Sequence, residues 1–168
     1  MEQLGIAGAL ELLPRQHRHA VAAMIVDRVV NPLPYSKRAL RDDFAGSPLA
    51  RILDNPAPGP LNDWYEALES LLAKQPAIEK ALFPGGGGRV FLYDITSSYF
   101  EGAHCPLAAF GYNRDGKKGK MQIVIGLLCD AEGRPVSAQV FEGNTADQSV
   151  ALSQVDALRE KFGVQEIV

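Results

Sequence analysis

Four consecutive glycines, Gly85 to Gly88, divide the chain into two stretches whose apolar residues repeat with different periods. Before them the spacing is helical; after them it is that of strands. A run of this kind is a flexible joint. A phosphate-binding loop is the other use of such glycines, but the Gly-Lys-Ser/Thr ending is absent and the run precedes a strand. The expected organisation is a helical region over 1–84, a joint at 85–88 and a sheet-bearing region over 89–168.

Within the first stretch, Val21, Met24, Ile25 and Val29 predict a helix from His19 to Val30, stopped by Asn31-Pro32. Ser36 is placed to cap a short helix running through Phe44. A Pro/Gly-rich loop follows from Asp54 to Pro60. Asn62 then caps a stronger helix with Trp64, Leu68, Leu71 and Leu72 on one face, and Pro76 restarts the chain into a last turn ending at Pro84.

Beyond the joint, Val90 to Ile95 and Met121 to Cys129 are apolar on both faces, as central strands are. Asp130, Glu132 and Gly133 make a turn, and Val136, Ala138 and Val140 alternate with Ser137 and Gln139 in a third strand. Thr145 with Gln148 forms a capping box for a helix with Ala151, Val155, Leu158 and Phe162 on one stripe. Gly163 ends it, and Val164 to Val168 begins a fourth strand. The expected fold class is α/β, an α+β mixed sheet ordered strand-strand-strand-helix-strand. The helical crossover returns strand four parallel to strand one or three. That is the opening half of an RNase H-like core, left incomplete, with apolar sheet surface uncovered.

The chain of 168 residues is 46% apolar and 22% charged, the balance of a folded domain and not of a disordered one. No stretch approaches the roughly 18 apolar residues of a membrane span. The start, MEQLGIAGALELLPRQ, shows no secretory h-region, and two cysteines, Cys105 and Cys129, make no disulfide framework. A cytoplasmic protein with no membrane partner is expected. The formal charge of -3 counts mildly against nucleic-acid binding, although a local basic patch can hold phosphates on an acidic chain.

Asp94 ends the apolar run Arg89-Val-Phe-Leu-Tyr-Asp, and a carboxylate buried there needs a partner. Thr96, Ser97 and Ser98 are one source, as a strand-end hydrogen-bond cluster. A divalent cation is the other. Two-metal phosphoryl transfer uses several hard oxygen ligands around ions about 4 Å apart. Strand four, beside strand one, would deliver a second carboxylate close to Asp94.

Tyr93-Asp-Ile-Thr-Ser-Ser-Tyr-Phe-Glu-Gly102 resembles the first-aspartate motif of DDE transposases of the "insertion sequence four" superfamily. Further matches follow in order: Phe110-Gly-Tyr-Asn-Arg-Asp115, Gln122-Ile-Val-Ile-Gly-Leu-Leu128, Gly133-Arg-Pro135 and Phe141-Glu-Gly-Asn-Thr-Ala-Asp147. In the helical region Asp27-Arg-Val-Val-Asn-Pro, Ser36-Lys and Ile78-Glu-Lys-Ala-Leu82 add to the likeness, which covers nearly the whole chain. The resemblance implies a metal-dependent DNA cleavage and strand-transfer enzyme of bacterial insertion elements. It makes Asp94 the first catalytic, metal-binding Asp, with Mg2+ or Mn2+ as cofactor and element-end DNA as partner. The family's second Asp and its Glu have no counterpart in these 168 residues, and the N-terminal DNA-binding segment looks shortened. The expectation is therefore a truncated transposase, inactive alone. The alternative is a non-catalytic DNA-binding or transposase-associating fragment, acting as a homo-oligomer or in mixed assembly with a full-length enzyme.

Arg114, Lys117, Lys118 and Lys120 crowd the connection between strands one and two and are the candidate DNA-binding residues; a solvated hairpin loop is the plainer reading. Tyr112 beside them is suited to base stacking or to core packing. Glu101, His104 and Cys105 lack the paired spacing of a zinc site. Asp147, near Glu142, favours a helix N-terminus. No Ser/His/Asp set is assembled from three histidines. A phosphotransferase using Asp94 with Thr96 is a third class, disfavoured because the haloacid-dehalogenase pattern needs an Asp where Thr96 stands.

Overall fold

The computed structural model describes residues 5–54, 58–83, 91–102, 104–112, 116 and 119–146. The chain divides into two compact units, residues 1–82 and 83–168. Gly85–Gly88, Arg114, Lys117, Lys118, the helix expected from Thr145 and the strand expected from Val164 lie outside the described residues, wholly or in their greater part.

Unit one is helical: α1 Ile6–Leu10, α2 Arg15–Val30, α3 Lys37–Phe44, α4 Pro48–Ile52 and α5 Leu61–Leu82. Its core is built on α2 against α5. Ala20, Ala22, Ala23 and Ala67 are buried there, and such small side chains let two helix backbones approach. Phe44 and Trp64 fill the remaining space edge to face, with centroids 5.8 Å apart and planes at 77°. Burying a side chain the size of Phe44 contributes about 1.5–3 kcal/mol. Trp64 Nε1 donates to Pro58 O at 2.7 Å, which ties the Pro/Gly loop to α5.

Local chemistry sets the helix ends. Ser36 Oγ accepts from Ala39 N at 3.2 Å and caps α3, as its position in the sequence leads one to expect. Asp27, buried near the end of α2, accepts from Tyr35 N at 3.0 Å and from Asn31 Nδ2 at 3.3 Å. The Asp27-to-Pro32 motif is thus a staple that turns the chain from α2 into α3. Three expectations for α5 fail. Helix α5 runs unbroken through Pro76, whose missing N–H deprives only the carbonyl of Leu72. Leu72 is itself exposed, not on the buried face, so water can serve that carbonyl. Asn62 lies inside the first turn of α5, where its amide donates to Glu66.

Unit two presents an antiparallel meander in the order β1-β2-β3, with β1 Phe91–Phe100, β2 Met121–Asp130 and β3 Pro135–Glu142. The whole is mixed α/β. Strand β1 continues past Ile95 because Thr96, Tyr99 and Phe100 suit a pleated ladder and pair with Ile125, Gln122 and Met121. The hairpin from β2 to β3 is closed by Asp130. Its Oδ1 accepts from Glu132 N at 3.1 Å and Arg134 N at 2.8 Å, while Oδ2 accepts from Arg134 Nε at 2.7 Å. Burial pushes the Asp130 carboxyl up, but the N–H and guanidinium of Arg134 and the N–H of Glu132 outweigh it and hold the carboxyl below its ordinary value.

The faces of β3 depart from simple alternation. The register slips at Leu128/Cys129: Cys129 faces Pro135, yet Leu128 faces Ser137, so Val136 is an extra residue in the ladder. One such insertion exchanges the two faces for everything after it. Val136 and Ser137 are buried, whereas Ala138 is exposed and Val140 is 50% exposed. Beside them, Ile123, Ile125 and Leu127 are only half-buried, while Gln122, Val124, Gly126 and Leu128 fill the buried side.

Candidate functional site

Asp94 is the fourth residue of the ten-residue β1, opposite Leu127, and is exposed. Two expectations are corrected by this. The carboxylate is not buried, because it shares the half-open face with Leu92, Thr96 and Ser98. Nor does it stand at a strand end: Thr96, Ser97 and Ser98 are spent on the ladder with Ile125, Val124 and Ile123. Among the described residues, Ile95 N donates to Asp94 Oδ1 at 2.9 Å. Strand β1 is the outer strand of the described sheet, so Asp94 lies on the strand beside which a further one can add.

A second constellation lies at the far end of the sheet. Six ladder steps separate the level of Asp94 from that of Met121, about 20 Å at 3.3–3.4 Å per residue. There the segment after β1 folds back on β2: Ala109 N donates to Gln122 O at 3.1 Å, and Gln122 N to Ala109 O at 2.9 Å. Gly143 N, just beyond β3, donates to Leu107 O at 2.9 Å. The Gln122 side chain, 1% exposed, ties the two segments together, its Nε2 donating to Tyr112 O at 2.9 Å and Gly143 O at 2.8 Å.

Two glycines make this junction possible. A Cβ on Gly111 would stand 2.0 Å from Gly143 O, and one on Gly143 would stand 1.9 Å from Gln122 O and 2.5 Å from Ala109 O. The Phe110-to-Asp115 and Phe141-to-Asp147 motifs of the sequence therefore meet in space, through backbone contacts that only glycine allows. No protein-family profile, curated protein or solved structure matches the chain.

Of the four cations assigned to DNA, Lys120 alone is described. It is exposed, and its Nζ lies 3.3 Å from Glu101 Oε1, a solvated pair of little energetic weight. The structure does not bring Lys120 and Asp94 together. Glu101, His104 and Cys105 do not gather into a cluster either; among the described residues, no three His, Cys, Asp or Glu side chains form a group able to hold a metal ion.

Other polar groups were not legible as contacts. His17 Nδ1 and Ser70 Oγ lie 2.7 Å apart between α2 and α5. His17 Nε2 is buried without a hydrogen-bond partner among the described residues, so no carboxylate orients the ring as a triad requires. The contact is a pin between helices. A cleft in the same unit, lined by Arg15, Gln16, His19, Asp54, Asp63 and Trp64, carries charges of both signs. Gln122 is the residue that sequence reasoning passed over: a polar side chain amid β2's apolar run is the one signal that marks it.

Proposed function

We propose that this chain carries the opening part of an RNase H-like DNA transposase core, with Asp94 as one carboxylate of its metal-binding set. The observation that carries the reading is an exposed acid on the outer strand of an antiparallel meander, within a sequence resembling the first-aspartate motif of the "insertion sequence four" superfamily. A parallel strand laid against β1 would run alongside Asp94. DNA is the partner that follows.

The described residues do not by themselves fit a Mg2+ or Mn2+ centre. A two-ion site needs several carboxylates, and among the described residues Asp94 belongs to no group of three or more His, Cys, Asp or Glu side chains. No cleavage chemistry follows from Asp94 alone, so the expected outcome is that the 168 residues in isolation neither cut nor join DNA.

Two measurements test this. In a strand-cleavage assay on element-end DNA with Mg2+ or Mn2+, the chain and Asp94→Asn should be equally inert; robust cleavage lost in the variant overturns the inactivity. In nuclear magnetic resonance, dilute Mn2+ should broaden the amides of Ile95 and Thr96 in the wild type and spare them in Asp94→Asn. Equal spectra for the two proteins remove Asp94 from the metal assignment.

A further inference from the structure

We infer that the cleft at the first turns of α2 and α5 binds a free basic α-amino acid, a small molecule carrying a carboxylate together with an excess of positive charge. The inference needs neither Asp94 nor DNA and stands apart from the transposase reading.

The cleft has a volume of about 370 Å3. Ligand cavities run from about 300 to 1,000 Å3, so this one suits a small molecule. Four ionisable side chains line it: Arg15 and His19, about one turn apart on α2, with Asp54 and Asp63. Among the described residues, none of the four engages its side chain in a hydrogen bond or an ion pair. Opposite charges that share a cleft without pairing keep their bonding capacity for a molecule placed among them. His19 and Asp63 are half-buried, where water makes up only part of a polar group's lost solvation.

The walls are fixed before any ligand arrives, which lowers the entropy cost of binding. Trp64 Nε1 donates to Pro58 O at 2.7 Å, and Arg41 Nε to Gly59 O at 3.0 Å. A Cβ at Gly59 would stand 3.1 Å from Asp63 Oδ2, so glycine leaves that oxygen uncovered on this side. Asp54, with φ of 48°, is the one non-glycine residue at positive φ among the described residues.

Charge sets the class of ligand and its orientation. Helix α2 starts at Pro14 without a side-chain cap, so its positive end adds to the Arg15 guanidinium in favouring a carboxylate there. Asp54 and Asp63 favour an ammonium or guanidinium group. Two carboxylates against one guanidinium leave the cleft negative, which selects a net cationic ligand and repels phosphate.

Trp64 is the chain's single tryptophan and lines the cleft, so its fluorescence and indole N–H resonance report occupancy. The full chain is titrated with L-arginine, with agmatine, which lacks the carboxylate, and with the tripeptide Gly-Gly-Arg. L-arginine should saturate both signals with a dissociation constant of about 1 mM. Agmatine should bind about tenfold more weakly in spite of its greater positive charge, and Arg15→Ala should close that gap. Asp63→Asn, which keeps the shape of the side chain, should weaken both ligands about tenfold. Far-ultraviolet circular dichroism verifies that the variants keep their helices. No saturation by L-arginine below about 50 mM overturns the inference, as does equal affinity for arginine and agmatine in the wild type or wild-type affinity in Asp63→Asn. A tripeptide bound about tenfold more tightly than L-arginine would assign the cleft to a protein terminus and also overturn it. Mn2+ broadening at Ile95 and Thr96 reads the other unit, so the two readings fail separately.

Discussion

Replacing Gly143 by alanine should damage the sheet unit more than any surface substitution. The added methyl would lie 1.9 Å from Gln122 O and 2.5 Å from Ala109 O, both backbone atoms with no rotamer to yield. Relief needs a movement of more than about 1 Å at one of the strands, since real Cβ···O contacts stay above about 3 Å. Four hydrogen bonds meet at that point: Ala109 N to Gln122 O, Gln122 N to Ala109 O, Gly143 N to Leu107 O and Gln122 Nε2 to Gly143 O. At about 0.5–1.5 kcal/mol each, losing them sums to about 2–6 kcal/mol, and partial relaxation makes about 3 kcal/mol the expected cost. Gly133→Ala is the control: its φ of 78° imposes strain, but nothing lies within 4 Å of the new methyl, so about 1 kcal/mol is expected. Urea denaturation followed by far-ultraviolet circular dichroism, with hydrogen exchange at Ala109, Gln122 and Gly143, measures both. A Gly143→Ala protein within about 0.5 kcal/mol of wild type, its three amides still protected, would refute the close-contact argument.

The hairpin acid gives a pH dependence. Asp130 has its carboxyl held below the ordinary value of 3.8, so its contribution to stability is complete above that pH and disappears as pH falls through the lower folded value. Denaturation midpoints across the acid range should fall less steeply in Arg134→Ala, and an identical profile in the two proteins refutes this. In the helical unit, Ser36→Ala removes the cap on α3 and should cost about 1 kcal/mol. Trp64 fluorescence during urea unfolding reads it, because Phe44 at the end of α3 packs on that indole.

Features that depend on neighbours in the chain were legible from the residues. Ser36 ahead of an amphipathic run marks a cap, Asn31-Pro32 a stop, and Asp130 with Gly133 a turn; each is a local bargain between side chain and backbone. Features set by partners distant in the chain were not. The extra Val136 in the β3 ladder is invisible until β2 is laid beside it, and it reverses which of Ala138 and Phe141 turns outward. Pro76 signals a break that an exposed helix face makes unnecessary. Asp94 was placed correctly on the first strand of the sheet, but its apolar neighbours suggested burial, whereas its own face of the strand is open. The junction at Gln122 joins residues from three segments, and no periodicity announces a contact of that kind.

The pairing of Gly111 with Gly143 limits how sequences sharing this architecture can diverge. Neither loop can acquire a side chain alone, and neither can shift by a residue without releasing the other from the glutamine between them. A change of length in the β2–β3 turn, where nothing lies within 4 Å of a methyl added at Gly133, leaves that junction untouched. Distant kin should be recognisable by an ordered trio of glycine, glutamine and glycine, even where little else of the sequence survives.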